Sequence, residues 1–548
     1  MAVSVTVAHA ANVVDGERKT VTALFADIKG STELMEDLDP EEAQALVDPA
    51  LALMIESVRH FDGYIVQSTG DGVFALFGAP VAREDHPQRA LHAALRMQEE
   101  LRNYGARLRA EGRPPIEIRV GVNTGEVVVR SLQTGARETE YTPIGHTTNL
   151  AARLQTIAST GSIVISKETE RIVAGYFTLK PLGPVKIRGL SDPIEVFEVA
   201  GVGPLRTRLQ ASAMRGLSKF VGRARETEKL MAAFESVKRG HGQLVAAIAD
   251  AGVGKSRLFH EFKAVAASDA MTLEAYSVSH GKASAYLPVI DLLNDYFAIA
   301  PDDDRRRRRE KVGGKILMLD RELEDTLPFL IALLGVEAGE TSAARPGEGP
   351  LAGMDVHTRR RGTLRAIERI LLRESLNQPL ILIFEDLHWV DTATQVLLDL
   401  LAESIARARI MMLVNYRPEY QHRWADKPNY TEIRLEPLGL AGANLMLDAL
   451  LDGGVETPAP AASNGASRAN RATVAELKRF IIDKTDGNPF FIEELVRTLF
   501  ERGALRRAPS RLRCRLAKSG FRQRLTEFSP RASTVCRPMK RICCRRSR

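Results

Sequence analysis

The stretch QLVAAIADAGVGKSRLF, residues 243–259, constrains the fold more than any other part of the chain. A short apolar run of buried-strand type leads into a glycine-rich turn, and the turn opens a helix. That order of elements is the context of a phosphate-binding loop, because the free N–H groups of a helix start face an anion. Gly252 and Gly254 would let the backbone approach phosphates, Lys255 would reach the β- and γ-phosphates, and Ser256 would hold Mg²⁺. The usual first glycine of such a loop is Ala249 here, a mild departure. Farther along, LILIFEDLHWVD ends a second apolar strand on acids, which makes Glu385 and Asp386 candidates for Mg²⁺ coordination and water polarisation. With RIMMLVNY as a third buried strand and helices between, residues 217–500 read as an α/β domain.

Upstream, VTALFADIKGST begins as a buried strand and stops on Asp27. A strand-end Asp alone is usually a turn former or a helix cap. A second carboxylate, Asp71, lies between Gly70 and Gly72 in QSTGDGVFALFG, where it reads as the turn of a hairpin. If that hairpin pairs beside the first strand, Asp27 and Asp71 converge, and two hard carboxylates suit Mg²⁺ or Mn²⁺. Asp39-Pro40-Glu41-Glu42 marks a helix start, and residues 86–112 form a long amphipathic helix. IEIRVGVNTGEVVV reads as two strands around Asn123-Thr124-Gly125. Residues 17–200 are thus expected to be an α+β sandwich of sheet and helices.

The net charge of +7 belongs to the C-terminus. Residues 505–548 hold thirteen Arg, two Lys and one Glu, a net of +14, which leaves the rest of the chain at −7. All four cysteines lie in that tail, so no disulfide framework is expected upstream. The run DDDRRRRRE (302–310) reads as a solvated face, and residues 337–361 and 453–470 as Gly-, Ala-, Pro- and Ser-rich surface insertions. No apolar run approaches the ~18 residues of a membrane span. The first residues lack the basic and apolar regions of a signal peptide. A cytoplasmic protein with neither membrane nor sequence-specific nucleic-acid partner is expected.

Five motifs in order, LFADIKGST, STGDGVFALFGAP, RVGVNTGEV, YTPIGHTTNLAARLQ and LGPVKIRGLSDPIEVFEV, resemble the catalytic domain of class III nucleotidyl cyclases. The resemblance implies a ferredoxin-like palm over residues 17–200 that forms 3′,5′-cyclic nucleotide and pyrophosphate from ATP or GTP. It places two metal ions on Asp27, Asp71 and the backbone carbonyl of Ile28. It assigns Asn149 to the ribose, Arg153 to the pentavalent phosphorus and Arg188 to the terminal phosphates. The base-reading positions fall on Gln67, where lysine is commonest, and on Thr142, and Gln67 fixes neither adenine nor guanine. In this family the aspartates and the Asn–Arg pair come from different domains, so one such domain implies a homodimer.

The region from FVGRARETEKL to DGNPFFIEELVRTLF resembles the signalling AAA-like ATPases of the STAND group. That implies ATP at the loop around Lys255, with Arg417 as γ-phosphate sensor and Pro489 against the adenine. The expected organisation is an N-terminal segment (1–16), cyclase domain (17–200), linker (201–216), regulatory ATPase domain (217–500) and basic tail (501–548). The tail lacks apolar periodicity and is expected to be disordered. A shifted reading frame with plausible codons turns PRASTVCRPMKRICCRRS into a segment like those that follow such ATPase domains, so the tail reads as a frameshift product. The alternative reading of function is a catalytically weak cyclase-like domain within an ATP-dependent signalling switch.

Overall fold

The computed structural model describes residues 17–30, 39–133, 139–187, 192–214, 216–278, 285–300, 303–335, 353–452 and 466–505, with Gly281 and Leu351. Arg188, residues 337–350, residues 453–465 and the tail beyond Leu505 lie outside these. The chain divides between Arg215 and Gly216 into two compact units.

In the first unit, β1 (Glu17–Ile28) is the hub of an eight-stranded sheet. The hairpin β2 (Tyr64–Thr69) and β3 (Gly72–Phe77) lies on one side of it, joined by the two residues Gly70 and Asp71. β4 (Ile118–Gln133) lies on the other side and pairs with β5 (Thr139–Ile144) and β6 (Ile163–Ser166). β7 (Phe177–Val185) and β8 (Ile194–Val202) complete the order β2-β3-β1-β4-β6-β8-β7. Alternation along β1 sends Leu24, Ala26 and Ile28 into a core with α1 (Pro40–His60) and α2 (His86–Ala110). Val21 and Ala23 point to the opposite face, where Ala151 of α3 (His146–Ile157) joins them. The expected helix start holds: the Asp39 side chain accepts from the Glu41 N–H at 3.3 Å, and Pro40 opens α1.

The expectation of two strands around Asn123-Thr124-Gly125 is corrected, since β4 runs unbroken through all three, opposite Ala23, Thr22 and Val21 of β1. Asn123 and Thr124 are buried, and groups on neighbouring elements satisfy them: the Thr147 carbonyl and Ser166 hydroxyl for Asn123, the Thr169 hydroxyl for Thr124. A Cβ at Gly125 would lie 2.6 Å from Thr147 Oγ1, so this glycine serves the close approach of α3 rather than a turn.

The second unit is built on five parallel strands in the order β10-β11-β12-β9-β13. These are β9 (Gln243–Ile248), β10 (Met271–Tyr276), β11 (Leu380–Glu385), β12 (Ile410–Tyr416) and β13 (Tyr430–Arg434). β9, β11 and β12 are buried almost throughout, as helices on both faces of a parallel sheet require. A smaller helical layer, Leu440–Asp452, Ala466–Thr485 and Pro489–Glu501, follows. Its core includes Leu447, Ile481, Leu495 and Leu505. Ordered packing therefore continues past residue 501 to Leu505, which is 3% exposed. The short helix Arg208–Met214 lies within the stretch expected as linker. The arginine run opens the helix Arg305–Leu319, capped by Asp304 and turned to solvent.

Candidate functional site

Register brings the two aspartates together. Phe25 and Phe74 lie directly opposite on β1 and β3, with rings stacked at 4.2 Å, and this pair sets Asp27 opposite Gly72. The Ile28 N–H then donates to the Asp71 carbonyl at 2.9 Å. Burial pushes the Asp27 carboxyl above its ordinary range, and the nearby Asp71 carboxylate adds to the push. Two donors oppose it: Arg119 Nη2 lies 3.2 Å from Asp27 Oδ2, and Gln155 Nε2 donates to the same oxygen at 3.3 Å. Neither residue is marked by its local sequence, since Arg119 reaches across from β4 and Gln155 from α3.

Asn149 and Arg153 share one face of α3, but neither makes a hydrogen bond or ion pair with Asp27 among the described residues. Gln155 projects from roughly the opposite side of the helix to Arg153. The helix is held by its first turn. Asn123 Nδ2 donates to the Thr147 carbonyl at 2.9 Å, the Thr147 hydroxyl donates to the Glu126 carbonyl at 2.8 Å, and the Ser166 hydroxyl donates to Asn123 Oδ1 at 2.6 Å. Gln67 stands exposed on β2 beside an irregularity in its pairing with β3, and Thr142 lies on β5 opposite Arg130.

In the second unit the loop after β9 wraps a helix start. Gly252 and Gly254 take positive φ of 80° and 107°, open to glycine at little cost. Arg223 Nη2 donates to the Val253 carbonyl at 3.1 Å, and Asn488 Nδ2 to the Ala251 carbonyl at 3.0 Å. Asn488 also caps the helix that Pro489 opens. The Lys255 ammonium is buried and donates to the carbonyls of Ala249 at 2.9 Å and Asp250 at 3.2 Å. Burial draws its pKa down, while Asp386 opposes that.

The Ser256 hydroxyl donates to Glu385, and Asn415 Nδ2 donates to Glu385 Oε2 at 3.0 Å. Burial pushes the Glu385 carboxyl up to about 7. The Asp386 N–H donates to Asn415 Oδ1 at 2.8 Å, and burial raises the Asp386 carboxyl too, against the pull of Lys255 and Arg417. Lys255, Ser256, Glu385, Asp386 and Arg417 thus gather at one end of the parallel sheet. Asn415 stands near the end of the apolar run IMMLVNY, a polar residue at a strand end and so a signal of the same kind as Asp27.

A family model described as the adenylate and guanylate cyclase catalytic domain matches residues 13–201, and one described as an AAA ATPase domain matches residues 219–414. The chain therefore joins a class III adenylyl/guanylyl cyclase catalytic domain to an AAA-type ATPase domain. An uncharacterised protein of Rhizobium meliloti (strain 1021) is 27% identical over 77% of this chain and 40% of its own length. Adenylate cyclase 1 of the same organism is 37% identical over 34% of this chain and 28% of its own. This chain thus spans less than half the length of either relative. Among solved structures, the adenylyl cyclase CyaB of P. aeruginosa is 30% identical over 36% of this chain and 98% of its own, with a TM-score of 0.32. No helix among the described residues is long and apolar enough to cross a membrane.

Proposed function

We propose that the first unit is a nucleotidyl cyclase that acts as a homodimer on ATP or GTP, and that the second binds ATP as a regulatory switch. The observation that carries this reading is the pairing of Asp27 with Asp71 at adjoining strand ends while Asn149 and Arg153 occupy a different side of α3. A second copy of the chain supplies the missing half of each site.

The donor chemistry fits a divalent cation. The Asp71 carboxylate adds to the cost of ionising Asp27, a shared cation relieves that cost, and Mg²⁺ is commonly held by one or two carboxylates plus phosphate oxygens. Asp27, Asp71 and the Ile28 carbonyl would hold two Mg²⁺ or Mn²⁺ ions, which when bound supply activation of the ribose 3′-hydroxyl and neutralisation of the phosphate. Asn149 of one copy orients the ribose. Arg153 and Arg188 carry positive charge to the α-phosphorus and the leaving pyrophosphate. Gln67 and Thr142 are the base-reading positions. In the second unit, Lys255 and Arg417 bind the terminal phosphates, Ser256 with Glu385 and Asp386 forms the Mg²⁺ and water side, and Pro489 lies against the adenine.

The test is purified chain with Mn²⁺ and either ATP or GTP, with chromatography of the product. Cyclic nucleotide formed by the chain and lost on Asp71→Ala supports the reading, and no product from either nucleotide overturns it. That second outcome would favour a cyclase-like domain kept weak, a reading supported by the capture of Asp27 by Arg119 and Gln155.

A further inference from the structure

Arg417 begins the loop after β12, and Trp389 ends the turn Leu387–Trp389 after the neighbouring strand β11. The Arg417 guanidinium carbon lies 5.5 Å from the centroid of the Trp389 ring. Among the described residues that guanidinium makes no ion pair, although its charge is felt at Asp386 and at Lys255. Both backbones are pinned. The Trp389 N–H donates to the Asp386 carbonyl at 2.9 Å, and Asp391 caps the next helix through the N–H groups of Ala393 and Thr394. The Arg417 carbonyl accepts from the Tyr420 N–H at 3.0 Å, and the Tyr420 hydroxyl donates to Gln395. The freedom that remains lies in the arginine side chain, whose only described partner is a ring face.

We propose that Trp389 is a positioning residue, the seat on which Arg417 rests until the terminal phosphate of a nucleoside triphosphate draws it off. A cation over an indole ring is held more weakly than a guanidinium bonded to phosphate oxygens, so a γ-phosphate wins the arginine and a diphosphate leaves it seated. The inference rests on the reading of residues 249–256 as an ATP site. It adds a stated difference between the ATP-bound and ADP-bound forms, which a switch requires.

The chain contains two tryptophans, Trp389 and Trp424. Trp424 is buried, donates from Nε1 to Asp399 at 2.8 Å and stacks on His422, so it is expected to be silent to nucleotide. The experiment records tryptophan emission of the full chain, at one pH, with saturating ADP or a non-hydrolysable ATP analogue. A constant pH keeps His388, which packs on Trp389, from adding to the difference. The analogue is expected to change the emission and ADP to leave it unchanged. Trp389→Phe should abolish the signal yet keep the ratio of analogue to ADP affinity, because phenylalanine still offers a ring face. Trp389→Leu should raise that ratio about threefold, because the nucleotide-free and ADP-bound states both lose the seat while the analogue-bound state does not. Arg417→Ala should shift the nucleotide-free emission in the direction the analogue does. Equal emission with both nucleotides bound, or an unchanged ratio in folded Trp389→Leu protein, overturns the seat. Binding that is undetectable, or that Lys255→Ala leaves intact, overturns the ATP site and the seat with it.

Discussion

Asp27 closes β1 with a carboxylate that is 29% exposed and meets a cation, Arg119. Glu385 closes β11 with a buried carboxylate that, among the described residues, meets the hydroxyl of Ser256 and the amide of Asn415. Both are acids at the end of an apolar strand, yet their charge is managed by different means. At Asp27 a guanidinium and an amide offset part of the burial cost. At Glu385 no cation among the described residues pairs with the carboxylate, so burial favours the protonated form, and its pKa rises to about 7. The second site is assembled within one chain by a parallel sheet and a helix start. On the proposed reading the first is half a site, with Asp27 and Asp71 at adjoining strand ends and Asn149 and Arg153 on another side of a helix. An open half-site needs a partner and a ligand to complete it, whereas a closed site needs only the ligand.

The largest effect is expected at the open site. Asp71 sits in a two-residue turn, outside the core, so Asp71→Ala should cut cyclic-nucleotide formation by about 10²–10³-fold or more while circular dichroism stays unchanged. Asp27→Ala is the less clean variant, because it also strips Arg119 of its partner. At the closed site, Lys255→Ala removes a charge-assisted contact to phosphate and should weaken ATP binding by about 10–100-fold, measured by calorimetry. Unchanged affinity there would mean that the two sites do not differ as described, because the loop would not be a phosphate site at all. A smaller effect tests the half-site directly. Asp27→Ala and Arg153→Ala chains should each be inactive, and an equal mixture should regain about a quarter of the wild-type rate. Half of its dimers are mixed, and each of those holds one intact site. No recovery in proven mixed dimers would place the whole site in one chain.

How far these sites could be read from sequence depended on how local their causes are. The hairpin turn at Gly70–Asp71, the Asp39 cap and the loop around Lys255 were legible, because each is set by residues a few positions apart. Asn123-Thr124-Gly125 was misread, because its glycine answers to Thr147 of α3 and its asparagine to Ser166 of β6. Those neighbours are distant in sequence. Arg119, Gln155 and Asn415 escaped notice for the same reason, since each acts on an acid carried by another element. The domain architecture was legible because several motifs in fixed order carry it, whereas composition alone assigns Leu505 to the basic tail, although it packs in the last helical core.

The smallest effects sharpen the comparison through pH, since the two units should respond with opposite slopes. His86 in the first unit is buried against the Thr22 hydroxyl at 2.7 Å, and burial lowers its pKa from 6.5 to about 4. The unfolded chain takes up that proton first, so this contribution to stability is complete above 6.5 and is lost as pH falls toward 4. Between about pH 7.5 and about pH 5 the loss should be about 2 kcal/mol. Glu385 works the other way. Its folded pKa of about 7 lies above the unfolded 4.5, so its contribution is complete below 4.5 and is lost as pH rises through 7. From about pH 6 to about pH 8 that amounts to about 1 kcal/mol in the nucleotide-free chain. Both tryptophans belong to the second unit, so denaturant titrations followed by tryptophan emission report that unit alone. Hydrogen exchange at β1 and β4 reports the first. Glu385→Gln should flatten most of the alkaline slope, with Asp386 keeping a remainder of the same sign. His86→Asn should flatten the acid slope, and comparing it with the parent chain cancels Asp27, whose raised pKa acts in the opposite sense. If the two units instead lose stability in the same direction of pH, and neither variant changes its slope, then the buried acid and the buried imidazole are not what sets the two regions apart.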